Sequence, residues 1–149
     1  MIKNAGKTAV AKAEAIEKNA ADYMKSITVH ITKDNGKTGI WSVNTLAGGK
    51  DHGYSGSRNA ALVEALEAAT GEKCCGTCTG DCPGCYAKNE TRYPDVLINM
   101  FENTLLARRD PVAFWEAVEK EIYSGALIPA IFRIHDSGDF FSYEYFAAC

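Results

Sequence analysis

The chain has 149 residues, 46% of them hydrophobic and 23% charged, with a net charge of −3 at neutral pH. These figures describe one ordinary globular domain with a real core. No apolar run approaches the ~20 residues of a membrane span, and the negative balance argues against bulk attraction to nucleic acid or an anionic membrane. The charge is uneven: residues 1–50 hold eight Lys and four Asp or Glu, a net +4 that leaves −7 for the rest. A solvated Lys-rich helix face accounts for that excess more simply than a nucleic-acid contact does.

Residues 6–24 predict an N-terminal helix with a thin apolar stripe of Val10, Ala13, Ile16, Ala20 and Tyr23 or Met24. This helix forms a first unit, residues 1–25, ahead of an α/β cysteine-loop domain over 26–149. In SITVHIT, Ile27, Val29 and Ile31 alternate with Thr28, His30 and Thr32, the period of a half-buried strand. His30 falls on the polar face, where exposure is expected rather than ligation. Asp34-Asn35-Gly36 is a turn signal, and TGIWSVNT after it completes a β-hairpin. Residues 47–58 are rich in Gly and Ser and predict a loop. Its His52 has no partner at ligand spacing, and its glycines match no phosphate-binding fingerprint. A helix through residues 59–70 should stop at Gly71, where the cysteine loop begins.

After that loop, Pro94 opens a helix, PDVLINMFENTLLARR, with Val96, Met100, Phe101, Leu105 and Leu106 on one side. Asp110-Pro111 is an N-cap followed by proline at the first helical position. The helix it starts should bury Val112, Trp115, Val118 and Ile122 and end at Gly125. ALIPAIFRIH is nearly continuous in apolar residues, as expected of a strand covered on both faces. It ends in the polar group His135-Asp136-Ser137-Gly138-Asp139, and a last helix follows, capped by Ser142. The order is that of a β-α-β unit. In parallel sheets ligands bind beyond the carboxyl ends of the strands, so the cysteine loop and the Ser137–Asp139 turn should share one rim.

Five of the six cysteines fall within KCCGTCTGDCPGC: Cys74, Cys75, Cys78, Cys82 and Cys85. No signal peptide is visible, which points to the cytoplasm, where dense thiols mark a metal or redox centre rather than disulfides. Cys78, Cys82 and Cys85 form C-x3-C-x2-C. Three thiolates at that spacing can hold three irons of a [4Fe-4S] cluster and leave the fourth iron open. Cys75 is a possible fourth ligand. Zinc is the alternative, since Cys75-x2-Cys78 and Cys82-x2-Cys85 are two C-x2-C pairs. Only three residues separate the pairs, however, against roughly 12 or more in zinc ribbons and fingers. A four-thiolate electron carrier is also open, because Cys75-x2-Cys78-x3-Cys82-Pro83 echoes a ferredoxin run. Cys149 has no assigned role.

The stretch from Cys82 to Phe146 resembles the gene-product-88 family of phages and bacteria. The matching residues are Cys82, Cys85, Tyr86 and Ala87, then Arg133, His135, Ser137, Gly138, Asp139, Phe140 and Ser142, and the resemblance covers roughly residues 38–149. A phage origin would place the protein in the cytoplasm of a bacterial host. The cysteine spacing is more broadly similar to radical SAM enzymes, which carry C-x3-C-x2-C after the first strand of a partial (β/α) barrel. The resemblance implies the N-terminal part of such a barrel, preceded by a helix and a hairpin, with a [4Fe-4S] cluster on Cys78, Cys82 and Cys85. It also implies that Ser137, Gly138 and Asp139, with Tyr86, contact S-adenosylmethionine, Asp139 accepting from its ammonium. The bound cofactor pair would supply a 5′-deoxyadenosyl radical. The residue before Cys85 is Gly84, where those enzymes usually carry an aromatic. A whole barrel takes about 200 residues or more, so the expected domain is incomplete, and a missing C-terminal part or a partner chain would finish it. The substrate is unknown. The competing non-enzymatic reading is a zinc-stapled module that binds protein or nucleic acid.

Overall fold

The structure, a computed structural model, describes residues 3–33, 40–47, 59–78, 91–125, 129, 131–135 and 138–149. Among them are six helices and one small mixed sheet: α1 (Lys3–Lys18), α2 (Ala20–Ser26), β1 (Ile31–Thr32), β2 (Trp41–Val43), α3 (Ala60–Thr70), α4 (Pro94–Arg109), α5 (Pro111–Tyr123), β3 (Phe132–Ile134) and α6 (Tyr143–Ala148).

The sheet order is β1-β2-β3. β1 pairs antiparallel with β2, Ile31 opposite Val43, which is the expected hairpin. β2 pairs parallel with β3, Trp41 opposite Phe132 and Val43 opposite Ile134. A parallel pair needs a long crossover, and here it contains α3, the cysteine segment, α4 and α5. The chain is thus mixed α/β with one β-α-β connection.

Each helix boundary has a local cause. Gly71, at φ 72°, ends α3 in the left-handed conformation that glycine adopts without a Cβ penalty, and its N–H returns to Glu67 O at 2.9 Å. Asp110 caps α5 by accepting from Ala113 N at 3.0 Å, and Ser142 caps α6 by accepting from Tyr145 N at 3.1 Å. Ala9, Ala13 and Ile16 form the buried face of α1, which packs chiefly on α3. Alanines at that spacing allow close approach.

α4 is buried on more than one face, and this positions the rest. Leu97, Met100, Phe101 and Leu105 join α1 and α3 in one core, at about 1.5–3 kcal/mol for each fully buried side chain. Three consecutive buried polar residues, Glu102, Asn103 and Thr104, fasten the strands to the helix. Asn103 accepts from His30 N (2.9 Å) and donates to His30 O and Asn44 O (both 2.8 Å). Thr104 Oγ1 accepts from Leu46 N at 2.9 Å and donates to Met100 O at 2.7 Å. Glu102 Oε2 lies 2.6 Å from His30 Nε2. Leaving any of these unpaired would cost about 1–3 kcal/mol. A second core holds Val43, Ala107, Phe114, Trp115, Val118 and Tyr145.

Several expectations need correction. The N-terminal helix is two helices, broken at Asn19 and running on to Ser26, so the first strand shrinks to Ile31–Thr32. Val10 and Val112 are exposed, at 47% and 57%; the core positions are Ala9 and Phe114 instead. His30 is half-buried and hydrogen-bonded, not simply exposed. The apolar strand is not covered on both faces: Ile131 is 63% exposed and Ile134 also faces solvent, while residues 126–128 and 130 of the run lie outside the described residues. An apolar run cannot reveal how much of it the rest of the fold covers.

Candidate functional site

The carboxyl ends of β2 and β3 lie side by side. Thr45 and Leu46 follow the first, His135 follows the second, and the ladder extends one residue further through His135 N–H to Val43 O at 3.0 Å. Thr77, between Cys75 and Cys78, lands on this rim. Its N–H and its hydroxyl both donate to Leu46 O, at 2.8 and 3.0 Å. With its one proton so placed, Thr77 Oγ1 accepts from the Thr45 hydroxyl at 2.9 Å and from Asp139 N–H at 3.0 Å. One buried hydroxyl, fully satisfied, therefore joins the end of β2, the cysteine segment and the turn after β3.

The donor order continues outward. Thr45 spends its proton on Thr77, so in its 3.4 Å contact with His135 Nδ1 the ring N–H donates. In the neutral ring Nε2 then accepts from the Tyr145 hydroxyl at 3.3 Å. Burial pushes the Tyr145 phenol up, which keeps it a donor. His135 has φ 62°, a backbone region sparsely used by residues other than glycine. The ring packs edge-on against Phe140 at 5.1 Å between centroids.

Gly138 sits at φ 90° directly over the two threonine hydroxyls. A Cβ there would collide with Thr45 Oγ1 and stand 2.8 Å from Thr77 Oγ1, so no other residue fits. Asp139 is exposed, and its Oδ1 accepts from Phe140 N–H at 2.8 Å. The other carboxylate oxygen has no protein partner among the described residues.

The neighbouring cysteines have separate environments. Cys74 is fully buried in the helical core, its N–H donating to Glu67 Oε1 at 2.9 Å. Burial, followed by the Glu67 carboxylate, pushes its thiol up, which disfavours the thiolate a metal needs. Cys75 is half-buried and already engaged. Arg108, in the last turn of α4, donates Nη1 to Cys75 Sγ at 3.0 Å and Nη2 to Gly76 O at 2.9 Å, with its guanidinium 5.9 Å from the Phe141 ring centroid. Cys78 is half-buried and has no such partner among the described residues.

Of the residues expected at the site, Cys75, Cys78, Gly138 and Asp139 are described. The turn and the first part of the cysteine segment are in direct contact. Cys82, Cys85, Tyr86 and Ser137 lie outside the described residues, as does His52. Among the described residues no three His, Cys, Asp or Glu side chains gather as a metal group. Cys149 is exposed, with its thiol pushed up by partial burial, and lines a groove of about 460 Å³ with Trp115, Phe132 and Ile134. That groove shares no residue with the rim. No helix among the described residues is long and apolar enough to cross a membrane.

Sequence reading missed Thr45, Thr77, Arg108 and Tyr145. Two threonines, a helix-end arginine and an aromatic in an amphipathic helix carry no motif. The one available signal was position, since Thr77 stands inside the cysteine run.

Fold and rim together define a mixed α/β protein with a cysteine segment and a glycine turn joined beyond the carboxyl ends of a parallel strand pair. The chain belongs to the gene product 88 family, which it matches over residues 17–149. No curated protein and no solved structure matches it.

Proposed function

We propose that this chain is a radical-SAM-like iron–sulfur protein, with Cys78, Cys82 and Cys85 as ligands of a [4Fe-4S] cluster and the Ser137–Gly138–Asp139 turn, with Tyr86, as part of the S-adenosylmethionine site. The observation that carries the reading is the Asp139 N–H to Thr77 Oγ1 hydrogen bond, 3.0 Å. It joins the two chemically distinctive segments, as a site shared between cluster and ligand requires.

Of the three proposed ligands, Cys78 is among the described residues. Cys74 is withdrawn into the core, and the Cys75 sulfur accepts from Arg108. Three thiolates from Cys78, Cys82 and Cys85 would leave one iron open, and Cys75 is the alternative fourth ligand. Cys78 follows directly from the anchored Thr77. A bound cluster and S-adenosylmethionine would together supply radical chemistry. The residues of the chain would bind and orient: the carboxylate oxygen of Asp139 not engaged by Phe140 N–H would accept from a ligand ammonium, and Gly138 lets the turn lie against the threonines. In this reading β2 and β3 are the first parallel pair of a partial barrel, which further strands of the same or a partner chain would extend. The protein would work in the cytoplasm.

Anaerobic reconstitution with iron and sulfide tests the reading. About four irons per chain are expected, retained in Cys75→Ala and lost in Cys78→Ala. Asp139→Ala should keep the iron and weaken S-adenosylmethionine binding about tenfold, the equivalent of ~1.4 kcal/mol. One zinc per chain, lost in Cys75→Ala and accompanied by no iron chromophore, would replace this reading with a zinc-stapled binding module. A full cluster lost in Cys75→Ala would indicate the electron carrier.

A further inference from the structure

We propose that the groove between α5, β3 and the end of α6 is a docking site for a cationic amphipathic helix of a partner protein. The groove lies apart from the rim and does not depend on the chemistry there.

Its floor and walls are apolar. Trp115 and Phe132 form the floor, and the Trp115 ring is held in place, its Nε1–H donating to Tyr145 O at 3.0 Å. Val112, Tyr123 and Ile134 stand beside them, exposed at 57%, 61% and 36%. Large apolar side chains exposed around one groove make a contiguous patch, which marks an interaction surface in a way that scattered ones do not. The volume, about 460 Å³, would suit a small ligand by size. Walls this exposed, however, would leave much of a small ligand wet, whereas a helix laid along the groove covers them. The wall from Val112 to Tyr123 runs about 16 Å along α5. Apolar anchors at i, i+3 or i+4 and i+7 of a docked helix span roughly 10 Å and fit within it.

Charge selects the occupant. The charged side chains lining the groove are Glu116 and Glu119, both exposed, and neither has an ion pair or side-chain hydrogen bond among the described residues. Glu121 of the same helix, by contrast, is taken by Lys33 at 2.6 Å. Two such carboxylates one turn apart beside an apolar wall complement Lys or Arg flanking apolar anchors. They also disfavour a second copy of this chain. In a two-fold contact the groove would face itself, setting Glu116 and Glu119 of one copy against the same carboxylates of the other.

The test uses the full chain and a helical leucine–lysine peptide of about 15 residues, followed by calorimetry and amide shifts. Binding should move amides of α5 and β3 and weaken as salt rises. Glu116→Lys with Glu119→Lys should weaken it about tenfold or more. Glu14→Lys with Glu17→Lys makes the same charge change at the same spacing on the exposed face of α1, and should leave affinity within about twofold. Tyr123→Ser removes an exposed wall without changing charge and should weaken binding about threefold. Amide spectra check the fold of each variant, and Glu116→Gln with Glu119→Gln replaces the reversal if that variant does not fold. Equal loss in the α1 and α5 variants would show that the peptide reads bulk charge, and the proposal falls. It falls too if a leucine–glutamate peptide binds as tightly, or if the shifts are absent or lie elsewhere. A chain that sediments alone as a dimer, dissociated by the α5 reversal, would assign the groove to a second copy instead.

Discussion

Cys74 and Cys75 are joined by one peptide bond and belong to different halves of the molecule. Cys74 lies in the helical core with Leu62, Leu66, Leu97 and Phe101, where aliphatic volume excludes water. Cys75 reaches Arg108, whose guanidinium also sits over Phe141, beside the aromatic core of Phe114, Trp115 and Tyr145. The first half is a scaffold of small and aliphatic side chains on α1, α3 and α4. The second is an aromatic cluster under a polar rim. Tyr145 is its hub, stacked on Phe141 at 4.6 Å and on Trp115 at 5.3 Å, with its carbonyl accepting from Trp115 Nε1 and its hydroxyl on His135. The difference teaches that adjacent cysteines can have unlike environments: an apolar pocket makes Cys74 a core side chain, while the sulfur of Cys75 accepts from a guanidinium.

Substitution at the two centres gives the largest expected effect. Tyr145→Ala should lower stability by about 3–5 kcal/mol and Leu62→Ala by about 2–5 kcal/mol in urea unfolding. Only the tyrosine change should also abolish exchange protection at Asp139, because it alone undoes the support beneath His135. Equal loss at Asp139 in both variants would erase the distinction between the halves.

The paired cysteines sharpen it at a smaller scale. Cys74→Ser places a hydroxyl in the aliphatic core and should cost about 1–3 kcal/mol, whereas Cys75→Ser, still within reach of Arg108, should cost less. Alkaline pH makes the same separation. The Cys74 thiol and the Tyr23 and Tyr145 phenols are all pushed up, mainly by burial, from ordinary values of 9.0 and 10.0. The fold favours their protonated forms. Their contribution is therefore complete below those values and is lost as pH rises through and beyond them. The urea midpoint should be level at about pH 7–8 and fall above about pH 9. Cys74→Ala should delay the onset of that fall, and an unchanged profile would remove the buried thiol from the account.

The smallest effect belongs to the surface. Asp95→Asn breaks the Lys12–Asp95 ion pair between α1 and α4, 2.6 Å long with Asp95 mostly exposed. The midpoint should move by no more than about 0.5 kcal/mol, and less in high salt.

Local chemistry alone determined much of this protein. The hairpin, the stop at Gly71, the caps at Asp110 and Ser142 and the order of helices and strands all follow from short-range patterns of turn residues, capping side chains and apolar spacing. The cysteine run and the glycine turn are likewise legible as two distinctive segments. The tertiary structure decided what no local pattern encodes: that α1 breaks at Asn19, that Val112 faces solvent while Phe114 does not, and that Ile134 is exposed. It also decided that Thr77 meets Asp139 across 62 residues of chain and that Arg108 claims Cys75. The reason is physical. Capping, turns and periodicity are set within a few residues, whereas burial and hydrogen-bond partnership depend on which surfaces the fold brings together, and a threonine or arginine looks the same in sequence whatever it will touch.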